Sequence, residues 1–182
     1  MPVHRKNSMI TTAQRYVDAG TFSGIEWQVQ HRGVLCYTGS VGRVGCDSSA
    51  PIPDQAIYRI YSMTKPIVAA MAVILLQENR LHLFDPVAKF ISEFKDSIIL
   101  HPYGTRDKAT VPITIEHLLT HRAGLSYDFL PDCPVGGLYR EARLAEDGSR
   151  SLTDFVNDLA AMPLAFNPGS RWQYSCYIDV LA

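Results

Sequence analysis

Tyr61-Ser62-Met63-Thr64-Lys65-Pro66 decides how this chain is read, because it joins a strand-like run, Ile57 to Tyr61, to a long apolar run from Pro66 to Leu76. Residues three apart share a helix face, so a serine that opens the helix has Lys65 beside its hydroxyl. The unpaired amides of the same first turn point toward developing negative charge. One short stretch thus offers a nucleophile, a base and part of an oxyanion hole, the parts a serine hydrolase needs.

The S-x-x-K spacing alone does not suffice, since Ser92-Glu93-Phe94-Lys95 repeats it. Ser92 comes late in an amphipathic stretch from Asp85 to Lys95, is followed by Asp96-Ser97, and reads as a surface serine. The run after Ser62 is apolar on every side, which predicts a helix through the middle of a globular core. Pro66 suits the first turn, where its missing N–H costs nothing.

Upstream, Ser8 to Ala19 reads as a helix with Ser8 at the N-cap and Gly20 as the stop. Ile25 to His31 and Val34 to Gly39 are β-prone runs around Arg32-Gly33, a hairpin signal. Gly39, Gly42 and Gly45 do not match G-x-G-x-x-G and read as strand-end and turn glycines. A Pro-punctuated loop, Ala50 to Asp54, leads to the nucleophile segment. Downstream, Asn79-Arg80-Leu81 marks a helix exit, and Asp85-Pro86 starts a new helix with Asp85 at the N-cap. His101 to Val111 is polar and turn-rich. Thr114 caps a helix whose stripe is Ile115, Leu118 and Leu119, which ends near Gly124 and packs on the core helix. Tyr127 to Gly148 reads as an irregular excursion bordering a substrate cleft, and Ser151 to Ala161 as a capped amphipathic helix.

With 182 residues, 47% apolar and 10% aromatic, the chain can bury a substantial core. A formal net charge of −1 with interspersed signs offers no basic face for nucleic acid and no polybasic stretch for a membrane. No apolar run is long enough to cross a bilayer, and no apolar segment follows His4, Arg5 and Lys6, so a cytoplasmic location is expected. Cys36, Cys46, Cys133 and Cys176 are scattered and read as reduced thiols. His117 and His121 stand four apart, a metal-ligand spacing, but no third ligand has a telling position and structural histidines are the better reading. No G-x-S-x-G elbow is present, which argues against the common α/β-hydrolase arrangement.

The second chemical element is Pro168-Gly169-Ser170-Arg171-Trp172-Gln173-Tyr174-Ser175-Cys176. Together with Tyr61 to Pro66 and with Thr114 to Leu125, it resembles the serine β-lactamase-related superfamily, and within it the class C-like esterases known as family VIII carboxylesterases. Three ordered motifs at family-like spacing are far more specific than any one. The resemblance implies an α+β, β-lactamase/transpeptidase-like fold: an antiparallel sheet flanked by helices, with a mostly helical lobe, incomplete in this chain. It implies Ser62 as the acylated nucleophile, Lys65 as its activating partner and Tyr174 as the tyrosine that shares proton transfer. Lys65 acts as base if burial lowers its pKa; alternatively it stays charged and Tyr174 takes the serine proton. Tyr61, Tyr127, Ser175 and Cys176 are the expected substrate contacts. No cofactor and no metal is implied.

Two departures from the family pattern matter. The β-lactamases of this branch place an asparagine two residues after the tyrosine; Cys176 stands there, which tilts the reading toward carboxylic esters. The segment Tyr177 to Ala182 looks like the start of an apolar helix without an end, so residues 1–182 read as the N-terminal portion of a single domain. Within it, 1–61 would hold the first helix and strands and 62–182 the nucleophile helix and helical lobe. The sheet strand that normally follows supplies the second oxyanion amide, and one such donor is worth roughly 3 to 4 kcal/mol. The expected partners are a small-molecule ester and either a complementary C-terminal segment or a second copy. A β-lactamase or DD-peptidase, and a non-catalytic binding remnant, are the alternatives.

Overall fold

Arg32 (φ 49°) and Gly33 (φ 77°) both adopt left-handed conformations, the requirement of a two-residue hairpin turn that follows the natural strand twist. They join β1 (Gly24–His31) to β2 (Val34–Gly42) in an antiparallel ladder running from Gly24 opposite Gly42 to His31 opposite Val34, with a bulge between Val29 and Gln30. The computed structural model describes residues 3–145 and 148–182, which condense into one unit ending at Arg59 and another beginning at Ile60. In the first unit, α1 (Val3–Asp18) packs on β2. The helix begins five residues before Ser8, because no glycine or proline interrupts residues 3–7. Ser8 is therefore inside the helix, not at its cap.

The run from Ile57 to Ile60 pairs with no strand among the described residues, so the expected strand before Ser62 is a correction; Ile57 is fully exposed. A 3-10 turn, Tyr61–Met63, follows, and α2 (Thr64–Gln77) begins after it. This helix is not buried all round as its composition suggests: only Lys65 and Ala72 are buried, while Ile67, Met71 and Ile74 are 55%, 60% and 52% exposed. Asn79 (φ 56°) ends it as expected, with Asn79 N–H donating to Leu76 O and Arg80 N–H to Leu75 O.

No α-helix starts at Asp85-Pro86. Glu116 N–H donates to Leu83 O, Ile115 N–H to Asp85 O and Val87 N–H to Ile113 O, and this extended pairing leaves only short 3-10 turns at Val87–Lys89 and Ser92–Phe94. Asp85 instead accepts from His82 N–H and Lys89 Nζ. A hairpin occupies the segment expected to be turn: β3 (Ile98–Leu100) pairs with β4 (Arg106–Lys108), and Leu164 closes the other edge of β3 through bonds of 2.7 and 2.8 Å.

Thr114 caps α3 (Ile115–Leu119) as its sequence predicts; its Oγ1 accepts from His117 N–H while His117 Nδ1 accepts from Thr114 N–H. The helix ends earlier than Gly124. His121 (φ 57°) takes the left-handed position, and Arg122 N–H donates back to His117 O. The excursion after Tyr127 holds α4 (Pro134–Glu141), with Val135 and Tyr139 buried. Then come α5 (Leu152–Ala160), capped by Ser151, and α6 (Tyr177–Leu181). The short α6 packs on both α2 and α3, so the core helix meets α3 chiefly through it. Leu118, Leu125, Val135, Leu159 and Leu164 form the centre of this core at 1% exposure or less.

Candidate active site

Ser62 lies in the 3-10 turn ahead of α2, and one turn on, Lys65 brings its Nζ to 3.4 Å from Ser62 Oγ. From the opposite wall Tyr174 donates its phenol proton to Ser62 Oγ at 2.7 Å. The structure thus brings together the three side chains singled out as catalytic, although they lie 112 residues apart at the extremes. Ser62 itself is solvent-facing, at the mouth of the cleft rather than inside a closed pocket, while Lys65 is 8% exposed.

Tyr127 is the fourth member. Its phenol oxygen accepts from Lys65 Nζ at 2.9 Å, and its ring stacks on Phe129 and tilts against Tyr174, with centroids 4.8 and 5.3 Å away. Gly136 in α4 makes this placement possible, since a Cβ there would stand 2.6 Å from Tyr127 O. The segments carrying Tyr127 and Tyr174 are tied together: Cys176 N–H donates to Ser126 O, and Gln173 Nε2 donates to Ser126 Oγ at 3.0 Å.

Electrostatics separate the roles of the two kinds of group. Burial pulls the Lys65 pKa down, but hydrogen bonding to the Tyr127 and Tyr174 phenols and their charges prevail and leave it raised. The contact with Ser62 holds the Tyr174 phenol below the ordinary tyrosine range; burial opposes this, and Lys65, 4.9 Å from the ring centre, adds to it. Burial pushes Tyr127 up, against the pull of Lys65. The arrangement is a charged lysine, a phenol that ionises more readily than usual, and a hydroxyl between them.

These residues line a cleft of about 610 Å³ together with apolar Leu144, Leu152, Phe155 and Ile178 and polar Asp128 and Arg150. Tyr61 (φ 44°) stands 76% exposed at its edge. Cys176 reaches the wall but is 4% exposed, and burial pushes its thiol far up, so it remains neutral. Ser175 is not brought to the cleft: it is 1% exposed, with its N–H donating to His121 Nδ1 at 3.1 Å. The first-turn amides are not all open to an oxyanion either, because Met63 N–H donates to Ile60 O at 3.0 Å and Thr64 N–H bonds back into the turn. His117 and His121 diverge, the first into its helix cap and the second toward Ser175. Asp179, in the first turn of α6, also lines the cleft, its carboxyl raised by burial and opposed by Lys65. No motif points to Asp179; its position five residues beyond Tyr174, at the start of an apolar run, is the one signal that marks it.

Residues 9–182 match the protein family described as Beta-lactamase. Esterase EstB of Burkholderia gladioli is 35% identical over 158 residues, 84% of this chain and 38% of EstB. Protein Rv1367c of Mycobacterium tuberculosis (strain ATCC 25618 / H37Rv) is 34% identical over 168 residues, 90% of this chain and 41% of that protein. Among solved structures, EstCE1, described as a hydrolase with promiscuous acyltransferase activity, superposes with a TM-score of 0.76 at 29% identity, covering 94% of this chain and 43% of its own. The chain spans about two fifths of the length of these relatives.

Proposed function

The chain belongs to the Beta-lactamase family and has part of the β-lactamase/transpeptidase-like fold, and from that premise we propose that it carries the acylation centre of a serine hydrolase acting on carboxylic esters. The observation that carries this reading is the 2.7 Å contact between Tyr174 Oη and Ser62 Oγ beside a lysine that stays charged. Tyr174, as phenolate stabilised by Lys65, takes the Ser62 proton while Oγ attacks the ester carbonyl. The tetrahedral intermediate expels the alcohol, which receives that proton from Tyr174. Water then attacks the acyl-enzyme, giving a proton to Tyr174, and collapse releases the acid as the proton returns to Ser62 Oγ. Tyr127 holds the Lys65 ammonium in place at 2.9 Å, and Tyr61 and Cys176 border the substrate.

The apolar lining at Leu144, Leu152, Phe155 and Ile178 suits the acyl chain of an ester. Cys176 supports esters over lactams, because a buried neutral thiol cannot supply the hydrogen bonds of a carboxamide. An alcohol could replace water in the second step, in line with the acyltransferase activity named for EstCE1. All four cysteines are free, which suits a reducing cytoplasm, and no helix among the described residues is long and apolar enough to cross a membrane. The exposed face of α2 at Ile67, Met71 and Ile74 supports association with a second copy or a complementary segment.

The test is competition between substrates. A short-chain p-nitrophenyl ester is expected to acylate the protein faster than a chromogenic cephalosporin, and Ser62→Ala to abolish both. Faster consumption of the cephalosporin would overturn the ester reading.

A further inference from the structure

His121 touches the Tyr174 segment from three directions. Its carbonyl accepts from Gln173 N–H at 3.0 Å. Its Nδ1 accepts from Ser175 N–H at 3.1 Å, with Ser175 Oγ at 3.4 Å. Its ring lies 4.8 Å from the Tyr174 ring and edge-on at 4.3 Å to Tyr177, with Trp172 at 5.7 Å. The two hydrogen bonds fall on the residues immediately before and after Tyr174, so one side chain and its own carbonyl fix the backbone on both sides of the phenol.

We infer that His121 is a positioning residue: its neutral imidazole, with Nδ1 as acceptor, holds the 173–175 backbone so that Tyr174 Oη stands at Ser62 Oγ. The inference rests on the reading of Tyr174 as the proton acceptor. The left-handed backbone of His121 (φ 57°) supports it, because glycine fits the residue after a helix end without strain and would serve better if stopping α3 were the whole task. Ser175, 1% exposed, has no water to turn to if the acceptor is lost.

The protonation state follows from the same geometry. An imidazolium carries N–H at both nitrogens and could not accept from Ser175. Burial, and then the Lys65 charge, push the His121 pKa down. The titratable groups facing the ring are Lys65 from α2, Tyr174 from the loop and Tyr177 from α6. Acidification through the lowered His121 pKa turns Nδ1 into a donor aimed at Ser175 N–H and releases Tyr174.

Two variants separate this role from helix termination. His121→Gly keeps the left-handed backbone and removes the acceptor; His121→Asn keeps both, since asparagine tolerates that backbone and its Oδ1 can reach toward Ser175. Hydrogen exchange of the Ser175 amide and the 13Cζ shift of Tyr174 across pH read the clamp and the phenol directly, whether or not the chain turns over substrate. In His121→Gly, protection of the Ser175 amide is expected to fall by roughly fivefold or more, and the Tyr174 titration to move up toward an ordinary tyrosine. His121→Asn should retain both. A glycine variant indistinguishable from wild type overturns the inference, and an asparagine variant that loses both overturns the acceptor assignment. Failure of Ser62 to react in a wild type whose Tyr174 responds to His121→Gly would count against the proposed function and leave the positioning role standing.

Discussion

Tyr127→Phe removes a single atom, the phenol oxygen that accepts from Lys65 Nζ at 2.9 Å. The ring can keep its stack on Phe129, 21° from parallel, so the loss is electrostatic rather than one of packing. Lys65 is 8% exposed, which limits replacement by water, and Ser62 Oγ at 3.4 Å is a weak substitute. A hydrogen bond to a charged group is worth about 1.5–3 kcal/mol. At this chain length each kcal/mol moves Tm by about 2–4 °C, so a drop on the order of 5 °C is expected. The folded-state pKa of Lys65 is raised, by hydrogen bonds that outweigh burial, and that of Tyr127 is raised by burial. A raised group contributes stability that is complete below its unfolded pKa and lost as pH rises through the folded one. The wild-type advantage is therefore full at neutral pH and fades in the alkaline range above about pH 10. Thermal melts followed by circular dichroism at neutral and alkaline pH measure it, and phosphonylation of Ser62 should slow by about tenfold for 1.4 kcal/mol of lost support. Equal melting points, equal rates, or a gap that widens with pH would refute this account of Tyr127.

Gly136→Ala places a Cβ 2.6 Å from Tyr127 O and is expected to slow Ser62 phosphonylation much as Tyr127→Phe does; an unaffected rate would mean that α4 does not position Tyr127. Thr114→Ala removes the α3 cap and should cost about 1 kcal/mol in urea denaturation, without changing the reaction of Ser62 beyond that loss. Iodoacetamide should modify Cys36 and Cys46 in the native protein and Cys176 only after unfolding, since the first two are exposed while burial keeps the third a neutral thiol.

Local chemistry made part of this architecture readable. Gly33, Thr114, Ser151 and the helix exit at Asn79 each act through their own backbone and side chain, and each sits where its residue type favours. The separation of Ser62 from Ser92 was legible for the same reason: the Ser92 hydroxyl meets only its neighbour Glu93 among the contacts resolved for it, whereas Ser62 Oγ meets Lys65 and Tyr174. Features decided by distant pairing were not. The β3–β4 hairpin has a wholly charged strand, Arg106-Asp107-Lys108, and is held by Leu164, by an ion pair of Lys108 with Asp96 and by a hydrogen bond between His101 and Asp107. The helix expected at Asp85 yields to pairing with residues 113–116. Twin glycines hide α4, where tertiary packing of Val135 and Tyr139 overrides propensity. In the site, motif spacing located Ser62, Lys65 and Tyr174, but nothing local indicates that Lys65 bonds Tyr127, 62 residues away, or that Ser175 faces His121 instead of the cleft.

Whether Ser62 is an activated nucleophile is read by a fluorophosphonate probe followed by peptide mass spectrometry. A single adduct on Ser62 is expected, absent in Ser62→Ala and strongly reduced in Tyr174→Phe, with Ser92 unlabelled. No adduct on Ser62 in folded protein, or equal labelling of Ser62 and Ser92, would contradict it.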